Sequence, residues 1–192
     1  SDCETILHGY EAWGIAFLDR LRGMFAFALH DVQRGELILA RDRLGIKPLY
    51  YCRDSRGLAF ASEIKALLPW LGKPEVDPQG LAQLLQSNFT CAPRTLLQGV
   101  AKLPPAHLAR IDTRTLTIEL HAYWSPLQVT PLDLGLNDAL ERFDVLMQDV
   151  MDIHMRADVP LGLFLSGGVD SSLLAALLAQ RMAEPLRTFS VG

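Results

Sequence analysis

From residue 4 to residue 21 the apolar positions Ile6, Leu7, Tyr10, Trp13, Phe17, Leu18 and Leu21 recur every three or four residues, the spacing of one helix face, with Gly14 as an interruption. The period then shortens. Residues 24–31, 36–42, 48–54 and 58–63 are short runs rich in aromatic and aliphatic side chains, parted by turn residues at Gln33-Arg34-Gly35, Leu44-Gly45 and Ser55-Arg56-Gly57, and they predict an antiparallel meander. Residues 63–71 read as helical. Residues 77–88 do too, with Asp77 as N-cap and Pro78 at the first helical position, where its missing N–H is no loss. Two more strands, 107–112 and 115–124, flank the turn Asp112-Thr113-Arg114.

The texture changes at residues 125–135, where Pro126 and Pro131 stand in a stretch with no clear period, a linker signal. Beyond it Leu140, Phe143, Met147, Val150 and Met151 mark one face of a helix over 137–154, with Asn137 as cap. The run 159–165 suits a strand buried on both faces, 172–183 is a strong helix former, and 186–192 is a second strand. Strand, glycine loop, helix and strand make a βαβ unit with a parallel pair and a right-handed crossover. The expected class is therefore α+β followed by α/β, divided as 1–125, a linker over 126–136, and 137–192.

Composition narrows the class. The chain of 192 residues is 49% hydrophobic and 21% charged with a net charge of −4, which fits a globular protein able to bury a core. Its Lys and Arg form no basic stripe, so nucleic acid is not expected as a partner. No apolar run reaches the roughly 18–20 residues of a membrane span. Three cysteines, Cys3, Cys52 and Cys91, lie far apart without CxxC spacing, which argues against a disulfide framework and a zinc site and for reduced thiols in the cytoplasm. Cys52 and Cys91 are expected to be buried. The absence of an initiator Met and the stop just after a strand lead us to expect an internal fragment of a longer protein.

The chemistry concentrates at "FLSGGVDSS", residues 164–172. Where a strand turns into a helix, the first helical N–H groups lack partners and carry partial positive charge, so an anion belongs there. Gly167 and Gly168 let backbone approach phosphate oxygens, and the hydroxyls of Ser166, Ser171 and Ser172 can donate to them. A carboxylate beside a polyphosphate needs a divalent cation between them, which makes Asp170 a magnesium contact. The competing reading is that Asp170 and the serines cap a helix and the glycines turn the chain. The loop lacks the Lys of GxxxxGK[ST] and is not GxGxxG.

This stretch resembles the SGGxDS[ST] pyrophosphate loop of the ATP-pyrophosphatase superfamily. With "GMFAFALHD", "LARDRLGIKPLYY", "FASEIKALL", "APRTLLQGVAKLPP" and "DVPLGLFLSGGVDSS" in order, the whole chain resembles the glutamine-hydrolysing asparagine synthetases. The resemblance implies the C-terminal part of a class II glutamine amidotransferase domain, an Ntn-hydrolase αββα sandwich, joined to the first βαβ unit of a synthetase domain. It implies glutamine, ATP and aspartate as substrates, Mg2+ as cofactor, an aspartyl-adenylate with release of AMP and pyrophosphate, and a homodimer. It also leaves open a relative acting on another carboxylate in polysaccharide or natural-product pathways, or a β-lactam-synthetase-like enzyme whose glutaminase domain is inactive.

Residue by residue, Ser166, Gly167, Gly168, Asp170, Ser171 and Ser172 inherit the pyrophosphate loop, with Asp170 also on magnesium. Leu165, Val191 and Gly192 inherit adenosine contacts. In "SDCE", Asp2 inherits the contact to the glutamine α-amino group, with Cys3 in place of the usual Ser or Thr; Ser1 and Glu4 also fit a capping box. The family's nucleophile is a processed N-terminal Cys lying upstream, so this stretch alone is expected to catalyse neither half-reaction and contains no catalytic residue. Arg41, Asp42, Arg43 and Lys47 read either as pairs across the domain interface or as a structural network, and His154 as a C-terminal helix cap. Ala106 stands where relatives show Gly, an expected effect on the loop alone.

Overall fold

In the computed structural model, which describes residues 2–191 without the side chain of Asp2, the first period becomes α1 (Asp2–Trp13) followed by a 3-10 turn over Gly14–Arg20. Gly14 makes the break by adopting φ +56°. The turn swings Phe17 and Leu18 inward, to 2% and 1% exposure, against Ala40 and Leu108. Burying each side chain contributes about 1.5–3 kcal/mol.

The next strands are β1 (Ala26–Asp31), β2 (Glu36–Arg41), β3 (Tyr50–Asp54) and β4 (Gly57–Ala61). They do not form the expected meander. β2 pairs with β1 and with β6 (His107–Asp112), while β3 pairs with β4 and with β5 (Val100–Lys102). With β7 (Ile118–Ala122) on β6, the result is one antiparallel sheet ordered β1-β2-β6-β7 and another ordered β4-β3-β5. The two hairpins separate because β2 takes β6, and not β3, on its second edge. β5 escaped the sequence reading because three residues are too short to show a period.

Alternation along the strands assigns the layers. Leu39, Ala109 and Ile111 of the first sheet meet Tyr51 and Leu58 of the second in one core. The opposite sides of β2 and β6, Ala40 and Leu108, receive the Phe17–Leu18 turn and Ile6 and Tyr10 of α1. Cys52, on the far side of β3, packs with Leu67, Trp70 and Leu71 from the 3-10 turn Ile64–Leu67 and α2 (Leu68–Leu71). Helix, sheet, sheet and helical turns follow one another as layers. α3 (Pro78–Ser87) starts as expected, with the Asp77 carboxylate accepting from the Gln79 N–H.

The chain divides into two units between Val129 and Thr130. The second holds α4 (Leu136–His154), β8 (Gly162–Phe164), α5 (Val169–Ala179) and β9 (Arg187–Phe189), with β8 and β9 parallel. Met151, Leu177 and Leu178 form its core with Leu163 and Leu174. Arg181 ties the helices by donating to Asp152 at 3.0 Å and to the Leu177 carbonyl at 3.2 Å. Two expectations are corrected. Gly135, in extended conformation, is the cap of α4, and Asn137 lies inside the helix. β8 is not buried on both faces: Leu163 turns to the helices while Phe164, one residue on and facing the other way, is 79% exposed. Among the described residues no helix is long and apolar enough to cross a membrane.

Candidate functional site: a serine-glycine loop between parallel strands

Leu165 follows β8 directly, half-buried, with its N–H donating to the Phe189 carbonyl at 2.8 Å. The chain then turns sharply. Gly167 takes φ +78° with no atom within 4 Å of where a Cβ would stand, and Gly168, extended, is the N-cap of α5. A side chain at 167 is thus opposed by backbone conformation and not by space. The first helical bond runs from the Ser172 N–H to the Gly168 carbonyl at 3.0 Å, so the N–H groups of Val169, Asp170 and Ser171 precede it and have no helical acceptor.

The serines lock the loop. The Ser171 hydroxyl donates to the Gly168 carbonyl at 3.1 Å, accepts from the Ser166 N–H at 3.3 Å and lies 3.1 Å from the Ser166 hydroxyl. Ser166 Oγ accepts from the Gly168 N–H at 3.4 Å. The N-cap of α5 is Gly168, and no side chain hydrogen-bonds there as a cap. Asp170 and Ser172 are exposed in the first turn of the helix. Among the described residues no three His, Cys, Asp or Glu side chains cluster as a metal cage, and Asp170 presents a single exposed carboxylate at the start of α5. Val191 is 95% exposed just beyond β9, and Gly192 lies outside the described residues. Sequence reading passed over Ser190, whose hydroxyl donates to the Leu165 carbonyl at 2.7 Å.

In the first unit, Asp2 begins α1 and its side chain lies outside the described residues. A cleft of about 480 Å³ opens beside this start, walled by Cys3 and Ile6, by Phe25 and Phe27, and by Lys47 and Ser62. Its walls come from stretches far apart in the chain, so no local pattern announced it.

Lys47 is held there by a buried pair. Arg41 donates to the carbonyls of Lys47 at 2.7 Å, Leu103 at 2.6 Å and Gly45 at 2.5 Å. Asp42, 1% exposed, accepts from the N–H groups of Leu44, Ile46 and Lys47 at 3.2, 2.9 and 2.9 Å. Burial pushes the Arg41 guanidinium down from its ordinary value, and the Asp42 carboxylate opposes that. Arg43 donates to the carbonyls of Leu21 and Asp19. Of the two readings of this motif, the bonds fit the structural network: Arg41, Asp42 and Arg43 hold backbone of their own unit.

Cys52 is buried as expected, but Cys91 is exposed, because its loop runs across the surface beside α3 with the Cys91 N–H on the Gln83 side chain. His154 closes α4 through a ring nitrogen 2.9 Å from the Val150 carbonyl.

The comparisons with known proteins follow the same division. A family model described as a glutamine amidotransferase domain matches residues 1–124, and one described as asparagine synthase matches residues 142–192. Over its full length the chain is 40% identical to a Mycobacterium tuberculosis protein named for glutamine-hydrolysing asparagine synthetase, covering 30% of it. It is 36% identical to asparagine synthetase (glutamine-hydrolysing) 3 of Bacillus subtilis, covering 32% of that protein. Over 96% of its length it is 36% identical to the amidase chry2 of Gibberella zeae, covering 27% of that one. The chain thus spans about a third or less of the relatives it matches. With both models matched in order along one sequence, the chain belongs to the glutamine-hydrolysing asparagine synthetase family, in which a glutamine amidotransferase segment is joined to an asparagine synthase segment.

Proposed function

We propose that the full-length protein is a cytoplasmic, ATP-dependent amidotransferase that takes nitrogen from glutamine and converts aspartate to asparagine through an aspartyl-adenylate, releasing AMP and pyrophosphate. The observation that carries this reading is the Ser166–Ser172 loop: a strand end, a glycine at positive φ and uncapped helical N–H groups in the segment that matches asparagine synthase. In this reading residues 1–125 are the glutaminase part, 126–136 the linker and 137–192 the synthetase part.

The roles follow the family resemblance, and the loop geometry supports those at the start of α5. The N–H groups at the start of α5 bind and orient the phosphates, and the interlocked Ser166 and Ser171 hold them in place. Asp170 holds Mg2+, which when bound screens the polyphosphate charge. Leu165, Val191 and Gly192 line the adenosine. Asp2 pairs with the α-amino group of glutamine beside the cleft.

Asp170→Asn in the full-length protein is the deciding experiment. It is expected to abolish pyrophosphate release while glutaminase activity stays within about twofold of wild type; unchanged pyrophosphate release refutes the loop assignment. Asp2→Ala is expected to raise the KM for glutamine and spare synthesis from ammonia, and equal losses with both nitrogen donors overturn its role. A second reading, with a carboxylate acceptor other than aspartate, is supported by the match to the amidase chry2, equal in identity to that with a B. subtilis asparagine synthetase. Pyrophosphate release on challenge with aspartate separates the two.

A further inference from the structure

We infer that Ser190 is a positioning residue that sets the spacing between the adenosine and phosphate halves of the nucleotide site; the inference rests on the reading of Ser166–Ser172 as the phosphate loop given above. The ladder between β8 and β9 pairs Gly162 with Arg187, Leu163 with Thr188 and Phe164 with Phe189. Beyond it, both polar atoms of Leu165 are taken by the end of β9: its N–H donates to the Phe189 carbonyl at 2.8 Å and its carbonyl accepts from the Ser190 hydroxyl at 2.7 Å. The strand pairing is thereby carried one residue past β8.

Ser166, Gly167, Gly168 and Asp170, which come next, are all exposed, and the bonds that shape this turn are local ones among Ser166, Gly168 and Ser171. The loop therefore has internal order, and its attachment to the neighbouring strand passes through Leu165. Ser190 lies between the two strand ends assigned to adenosine, Leu165 on one and Val191 on the other. One hydroxyl thus joins the shelf for the base and ribose to the point where the phosphate loop departs. A ligand that spans both halves feels this spacing, whereas a ligand that fills one half does not.

The test measures binding of ATP, adenosine and inorganic pyrophosphate to the full-length protein in the presence of Mg2+ for wild type, Ser190→Ala, Ser190→Thr and Asp170→Asn, with the melting temperature of each. Ser190→Ala is expected to weaken ATP about fivefold, the worth of one neutral hydrogen bond, while adenosine and pyrophosphate change less than about twofold. Ser190→Thr, which keeps the hydroxyl, is expected to bind ATP within about twofold of wild type. Equal weakening of all three ligands by Ser190→Ala, or failure of Ser190→Thr to restore ATP binding, shows a general structural role and overturns the inference. Wild-type ATP binding in Ser190→Ala together with loss in Asp170→Asn overturns the inference alone. Wild-type binding of ATP in Asp170→Asn overturns the phosphate-loop reading, and the inference with it.

Discussion

Ala106 sits at φ +56° with its N–H on the Asp42 carbonyl and its own carbonyl accepting from the Tyr123 N–H, both at 2.9 Å. A left-handed conformation costs a non-glycine residue about 1–2 kcal/mol, against about 0.4–1 kcal/mol for the extra freedom glycine gives the unfolded chain. Ala106→Gly is therefore expected to stabilise the protein by up to about 1.5 kcal/mol, and Ala106→Val, β-branched at positive φ, to destabilise it by more than about 2 kcal/mol. Thermal melts of the two variants check the sign. Gly45 is the converse case: at φ +67°, an added Cβ would stand 2.8 Å from Pro105 Cγ and 3.0 Å from Arg41 Cζ. Gly45→Ala is expected to cost more than about 2 kcal/mol and to disturb the turn that carries Lys47. Tyr123 adds a pH signature. Its hydroxyl donates to the Arg41 carbonyl at 2.7 Å, and desolvation pushes its pKa up to about 12. A raised phenol favours the folded state below its unfolded value near 10, and that stability is lost as pH climbs from about 10 to about 12. Tyr123→Phe is expected to flatten this part of the pH–stability curve, and a curve of unchanged slope counts against the assignment.

Among the helices, α3 is the one most closely anticipated from its sequence. Asp77 caps it and also accepts from Arg94 at 2.7 Å. That guanidinium holds the carboxyl below its ordinary value, so the cap stabilises the fold above the usual carboxylate range and is lost as the pH falls through the lowered value. What the sequence could not show is how close α3 lies to the loop after it. A Cβ at Gly80 would stand 2.1 Å from the Thr95 carbonyl oxygen. Gly80→Ala, harmless in an isolated helix, is expected to lower stability by more than about 2 kcal/mol. A melting temperature at or above wild type would show that the loop gives way. The strands divide in the same manner: all but the three-residue β5 were legible from their turn residues and apolar runs, because these lie within a few positions of one another. Their assignment to two sheets was not, because β2 and β6 meet across 68–76 positions of sequence, as Ala40 with Leu108 and Glu36 with Asp112.

On the scale of the whole molecule, each unit has its own core, around Leu39 and Ile111 in the first and around Met151 and Leu177 in the second. Residues 126–138 are exposed throughout, and before α4 their regular structure is the short turn Pro126–Gln128. Limited proteolysis is expected to cut here first, after Leu127, Leu132 or Leu134, and a first cut inside β2 or β6 would refute independent cores. The change of period at this stretch was visible beforehand, as was the loop of Ser166–Ser172, because helix spacing, a glycine turn and an apolar run are local features that neighbouring residues dictate to one another. Burial was less visible. Cys91 came out exposed and Phe164 did too, since exposure depends on which face another element covers. The sequence by itself determined the elements apart from β5, the cap of α3 and the serine-glycine character of the Ser166–Ser172 loop. Only the tertiary structure decided that Arg41 and Asp42 lie inside and hold the Lys47 turn, that a cleft opens beside α1, and that Ser190 grips Leu165. Each of these joins groups from separate elements, and such partners are chosen by packing in three dimensions, which no period along the chain records.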